Sequence, residues 1–138
     1  MILADTSGIF AALDRSQRSH ETARAVVETG EPLVISPFVL AELDYLLSTR
    51  ISLLASIELL RDVEEGAYEL AAFTSRDVGD ARGIMMRYHE LGIGLADASI
   101  VVLAGRYACD RVLTLDERHF RALRTTDGLA FTLLPADA

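Results

Sequence analysis

Short, unbroken apolar runs separated by longer stretches of helical spacing constrain this chain more than any other feature. The runs are Ile2 to Ala4, Leu33 to Ser36, Tyr68 to Thr74 or Ser75, Arg111 to Asp116 and Leu129 to Leu134. Strands covered on both faces read as continuous apolar runs, whereas half-solvated strands alternate. Between the runs lie predicted helices. One starts at Ser7, and a second runs from an N-cap at Ser19 to a stop at Gly30. A third begins where Pro37 suits a helix start, and a fourth near Ser52 repeats Leu54, Ile57, Leu60 and Val63. The rest are Arg76 to Leu91, the largely buried "LADASIVVLAGRYA" and the short "ERHFRALRT". Such alternation predicts βαβ units, hence an α/β fold with a central parallel sheet and helices on both faces. At 138 residues, one domain over 1–138 is expected, with neither internal repeat nor linker.

Composition removes several classes. Apolar residues make up 51% and charged residues 25%, which is globular rather than disordered. The longest apolar stretch, "ASIVVLAG", is far below the ~20 residues of a membrane span, and no signal peptide is read at the start. No membrane association is expected. The single cysteine, Cys109, cannot form an internal disulfide, and no Cys/His cluster has zinc spacing, so a cytoplasmic protein is expected. The net charge of −8 argues against nucleic-acid binding by bulk charge, although local distribution matters more than the sum. All thirteen basic residues are arginine.

The acids carry the functional signal. In an open parallel sheet, ligands bind beyond the carboxyl ends of the strands. Asp5 follows "ILA" and Asp116 follows "VLTL", so both are expected on that rim. Glu42 sits inside an apolar helix with Phe38 and Leu46 as its i−4 and i+4 neighbours, which places it on a core-facing stripe. Asp97 lies early in the most apolar helix. Asp44 projects away from Glu42 and is expected to be solvated. Asp5, Asp97 and Asp116 each have a simpler reading as helix caps. Glu42 does not, and a carboxylate on an apolar face is costly unless paired or bound to metal. Four carboxylates in one pocket repel, and a divalent cation removes that conflict. An all-carboxylate set points to Mg²⁺ or Mn²⁺ rather than zinc, and to metal-assisted phosphodiester hydrolysis.

The segments "ILADTSGIFAALDR", "SPFVLAELDYLL" and "GLADASIVVLAGRYACDRVLTLDERHF", in this order, resemble a PIN domain, and more narrowly the VapC-type ribonuclease toxins of bacterial toxin–antitoxin pairs. The resemblance spans essentially the whole chain. It implies a three-layer α/β/α fold and an acidic quartet of Asp5, Glu42, Asp97 and Asp116, with the three aspartates as metal ligands. Thr6 and Thr114 match positions where the family often places a supporting hydroxyl. Some relatives carry a further acid where this chain has Val101 or Arg118, so one or two ions are implied. The implied activity is a Mg²⁺- or Mn²⁺-dependent endoribonuclease acting on structured RNA, tRNA or rRNA. The implied partners are a cognate antitoxin and a second copy of the chain, as a homodimer. The alternative is a catalytically silent PIN module that binds RNA or a protein.

An acidic site needs arginines beside it to hold a polyanion. Arg111, Arg118, His119, Arg121 and Arg124 cluster around Asp116 in sequence, with Arg111, Arg118 and Arg121 as the RNA-binding candidates; Arg76, Arg82 and Arg87 lie on the helix before Asp97. His119 has two readings, a substrate contact or, more simply, a surface or packing histidine, and Cys109 reads as a small apolar residue. A response-regulator receiver would need a lysine after its last strand, which this chain lacks, and a haloacid-dehalogenase-like phosphatase would need an aspartate where Ser7 stands.

Overall fold

The computed structural model describes residues 1–138. In chain order its elements are β1 (Ile2–Ala4), α1 (Thr6–Leu13), α2 (His20–Val27), β2 (Leu33–Ile35), α3 (Pro37–Arg50), α4 (Leu53–Glu64), β3 (Glu69–Leu70), α5 (Ser75–Arg87), α6 (Leu95–Tyr107), β4 (Arg111–Leu113), α7 (Glu117–Phe120) and β5 (Thr132–Leu134). The strands form one sheet in the order β3-β2-β1-β4-β5, and every pairing is parallel. β1 and β2 are fully buried, as continuous apolar runs require.

The chain moves from β1 outward to β2 and β3, then crosses back beyond β1 to β4 and β5. Right-handed crossovers place α1 to α4 on one face and α5 to α7 on the other, giving three layers. The close packing of α1 with α2 and α3, of α3 with α4, and of α5 with α6 fits that division. The reversal falls between β1 and β4, so the crevice at a topological switch point opens between their carboxyl ends. Ala4 is level with Leu113 there, and the Asp5 amide extends the ladder by donating to the Leu113 carbonyl at 3.0 Å.

Local chemistry sets the helix starts around this crevice. Ser36 caps α3, its Oγ accepting from the Val39 amide at 3.1 Å, with Pro37 in the first turn. Thr74 and Asp77 form a reciprocal capping box on α5. Gly8 lets α1 lie directly on the end of β4, since a Cβ there would stand 2.4 Å from the Leu113 carbonyl oxygen.

The five expected strands are present, but β3, β4 and β5 are clearly shorter than expected, β4 ending at Leu113 rather than Asp116, and β2 stops one residue early. β3 is an exposed two-residue edge strand rather than a run to Thr74. Its ladder continues through the Ala71 amide to Ile35 and stops where the Arg106 guanidinium takes the Ala72 carbonyl. β5 starts at Thr132 because Gly128, at φ +83°, turns the chain and Ala130 bridges antiparallel to Arg124. α7 is one turn long, and Arg124 donates to the carbonyls of Arg121 and Leu123 just beyond it. No helix is long and apolar enough to cross a membrane.

Candidate active site

The crevice is lined by acids from four separate elements. Asp5 ends β1 and is only 5% exposed. Its Oδ2 accepts from the Thr114 hydroxyl at 2.7 Å and from the Ser7 hydroxyl at 2.9 Å. Asp5 occupies the N-cap position of α1, yet its side chain makes no capping bond, so the cap reading falls away. Burial holds its carboxyl above the usual carboxylate range, against the opposing pull of the two hydroxyls.

Thr114 and Ser7 tie β4 to α1. Thr114 accepts from the Asp116 amide at 2.9 Å while donating to Asp5. Ser7 accepts from the Leu115 amide at 2.9 Å and lies 3.2 Å from the Thr114 hydroxyl. Asp116 does cap α7, its Oδ1 accepting from the His119 amide at 3.0 Å. That leaves Oδ2 directed into the crevice, 2.8 Å from His119 Nδ1.

Asp97 sits in the first turn of α6, whose N-cap is Gly94 rather than Asp97. Its Oδ2 is 3.3 Å from the same His119 Nδ1. The Asp97 carboxyl is pushed up to about 6, first by burial and then by the charge of Asp5, with Asp116 and Glu42 adding and His119 opposing. Each of the other three acids therefore acts on Asp97. A buried hydroxyl chain fixes this approach. Ser99 Oγ donates to Ser36 Oγ at 2.8 Å and contacts the Ala96 carbonyl at 2.6 Å, which joins the first turns of α6 and α3.

Glu42 differs from expectation. The buried stripe of α3 is Val39, Leu43 and Leu47, one position on from the Phe38–Glu42–Leu46 face, and Glu42 is exposed at the crevice mouth. The Thr6 hydroxyl donates to Glu42 Oε1 at 2.6 Å and holds it there. Asp44 is exposed as expected, though it also accepts from the Ser56 hydroxyl at 2.5 Å.

The arginine cluster does not survive folding as a unit. Arg111 begins β4, at the opposite end of the sheet from the acids, and its guanidinium is bidentate on Glu31. Five residues of extended chain separate it from Asp116, roughly 15 Å. Arg121 is committed to Asp137 and Glu117. Arg118 is exposed, beside Asp116, and makes no ion pair.

Two site residues escaped the sequence reading. Ser7 reads as a helix start, and His119 more simply as a surface or packing histidine than as a substrate contact. The Asp116-x-x-His119 spacing was the available signal for His119, since residues three apart on a helical turn share a face.

A five-stranded parallel sheet, its central strands buried, with four acids at its switch point defines a PIN-type fold. The PIN-domain family model matches residues 2–125, and the chain belongs to that family, among its VapC-type ribonucleases. It is 41% identical over 135 residues to Ribonuclease VapC26 of Mycobacterium tuberculosis (strain ATCC 25618 / H37Rv), a match covering 97% of this chain and 100% of the relative. Among solved structures it is similar to Mycobacterium tuberculosis VapC20, described as a sarcin–ricin loop cleaving toxin. There the TM-score is 0.78 at 20% identity, covering 84% of this chain and 90% of the other. FitAcB from Neisseria gonorrhoeae follows, with a TM-score of 0.60 at 22% identity and coverage of 96% and 97%. The PIN-domain resemblance and the parallel α/β fold expected from the sequence are both borne out.

Proposed function

We propose that this chain is a Mg²⁺- or Mn²⁺-dependent endoribonuclease, the toxin of a type II toxin–antitoxin pair, cutting structured RNA such as tRNA or rRNA. The observation that carries this reading is Asp97, a half-shielded carboxyl pushed up to about 6 first by burial and then by the charges of three other acids at the switch point. Such crowding is costly in isolation and is relieved by a divalent cation. The donor chemistry fits one: Asp97, Asp116 and His119 each bring a ligand atom within 4.8 Å of the others, and Asp5 is buried beside them.

When bound, the ion supplies charge stabilisation at the phosphoryl oxygens and lowers the pKa of a bound water. The chain's own residues do the rest. Thr114 and Ser7 hold Asp5 in a single orientation toward the crevice. Thr6 keeps Glu42 at the mouth, where its carboxylate can accept a proton from an attacking water. Arg118, unpaired and exposed, is the cation best placed to meet a phosphate next to Asp116, in the bidentate manner open to arginine. The partners in this reading are the RNA, a cognate antitoxin and a second copy of the chain.

The test is cleavage of structured RNA by the purified protein with Mg²⁺ or Mn²⁺, compared with Asp5→Asn and Asp97→Asn. Loss of cutting in both variants supports the site. Cutting that persists in both removes it. A wild type that cuts no tRNA or rRNA would instead favour a silent RNA- or protein-binding module.

A further inference from the structure

We propose that His119 coordinates the divalent cation through Nδ1, together with Asp97 and Asp116, and so biases this site toward Mn²⁺ over Mg²⁺. The proposal rests on the metal-dependent reading above and adds a ligand to it. Nδ1 of His119 is buried, and no oxygen around it is aligned for a hydrogen bond. Two carboxylate oxygens nevertheless crowd it, Asp116 Oδ2 at 2.8 Å and Asp97 Oδ2 at 3.3 Å. A buried ring nitrogen without a partner is unusual, because buried polar groups are nearly always satisfied.

An imidazolium neutralising the two aspartates would be the simplest alternative. It would direct an N–H along the line to one oxygen, and that alignment is missing. The spacing suits a shared cation better. Ligands bound at 2.0–2.1 Å to an octahedral ion stand about 3 Å from their neighbours. The two observed separations, 2.8 and 3.3 Å, bracket that value. All three ligand atoms lie within 4.8 Å of one another.

The ring is also held in place. The one-turn helix α7 puts His119 over its own N-cap, Asp116, whose Oδ1 accepts from the His119 amide. The same carboxylate therefore fixes the histidine backbone through one oxygen and faces its ring through the other. Coordination requires the neutral ring with its proton on Nε2, which leaves the Nδ1 lone pair free to bind an ion shared with the two carboxylates. The donor set at this position is then mixed, not all-carboxylate. Imidazole favours transition ions, whereas Mg²⁺ favours oxygen ligands and water.

The experiment loads the intact protein with Mn²⁺ alone and records its electron spin-echo envelope modulation. Calorimetric titrations with Mn²⁺ and Mg²⁺ accompany it, on wild type, His119→Gln and Asp97→Asn. Wild type is expected to show modulation from a directly bound ¹⁴N, absent in His119→Gln. Mn²⁺ affinity of that variant should fall about tenfold or more, with Mg²⁺ affinity changed less than about twofold. Bound Mn²⁺ without nitrogen coupling in the wild type would overturn the proposal, whether or not the variant folds. A parallel fall in both affinities would also overturn it, leaving His119 to orient Asp116. If Asp97→Asn leaves Mn²⁺ binding intact, the metal-site reading itself fails, an outcome distinct from loss of the histidine alone.

Discussion

The Asp97 carboxyl stands at about 6 against an ordinary value of 3.8, and burial is the first cause. Its folded-state value is raised, so the native protein binds more protons than the unfolded chain between those two values. The stability from this group is fully present below about pH 4 and is lost as pH rises through about 6. Asp5 is shifted in the same direction, also by burial. Asp97→Asn should therefore raise the Tm of the metal-free protein at pH 7.5 by about 3–6 °C. The gain should shrink at pH 5, where Asp97 of the wild type is already mostly protonated. Thermal melts at both pH values check this, and an equal gain at both would contradict the cause given. Thr114 sets a second expectation. Its hydroxyl donates to Asp5 and accepts from the Asp116 amide, so it links two acids by one oxygen. Thr114→Val should lower kcat for RNA cleavage by about 10–100-fold, as loss of a partner behind a ligand does. Thr114→Ser should restore most of it, which separates a hydroxyl effect from a packing effect.

Among the elements, α1 and β4 carry the tightest constraint. Gly8 of α1 lies against the Leu113 carbonyl, and a Cβ there would stand 2.4 Å from that oxygen and 2.7 Å from the Leu113 side chain. Backbone at a buried strand end cannot swing away as a surface side chain would. Gly8→Ala should cost about 1–3 kcal/mol, as overpacking does, and lower the Tm by several degrees. It should also reduce cleavage, because α1 and β4 together position Asp5 and Thr114; an unchanged melt would show that the two elements can separate freely. Much of this arrangement was legible in the sequence. Continuous apolar runs gave the sheet, and Asp5 and Asp116 at their ends gave the rim. What was not legible came from direction and phase. Arg111 and Asp116 are near in sequence, but an extended strand carries them to opposite ends of the sheet. Glu42 was placed on a buried stripe, yet the buried stripe of α3 runs through Val39, Leu43 and Leu47. Phe38 and Leu46 are only half-buried, so apolar character alone misassigned the face by one residue. His119 carried a spacing signal, but its meaning depends on Asp97, which arrives from a distant helix.

For the molecule as a whole, net charge and exposed apolar surface point to different partners. The chain carries −8, and its acid crevice adds no attraction for RNA. RNA must then be held by local arginines and bound cations rather than by the overall field. The apolar surface lies elsewhere. Helix α4 buries only Ser56 and Leu59, while Leu53, Leu54, Ile57 and Leu60 remain 42–65% exposed. Tyr45 of α3 is 67% exposed, and Ile51 just beyond α3 is 46% exposed. A clustered apolar face of this kind marks a protein-binding surface, and in the proposed function its partner is the antitoxin. Leu54→Glu with Ile57→Glu places two charges one helical turn apart in that cluster. Both residues are at least half exposed, so the fold should tolerate the change, with a Tm shift of no more than a few degrees. RNA cleavage by the free protein should be retained, since neither residue belongs to the crevice. Inhibition by the cognate antitoxin should weaken by at least about tenfold, because two desolvated carboxylates would oppose an apolar contact. Antitoxin titrations of cleavage, with the mass of each complex measured by light scattering, decide it. An antitoxin that inhibits the double variant as tightly as the wild type would move the contact off α4. A lower mass for the free variant, with inhibition unchanged, would assign this face to the second copy of the chain instead.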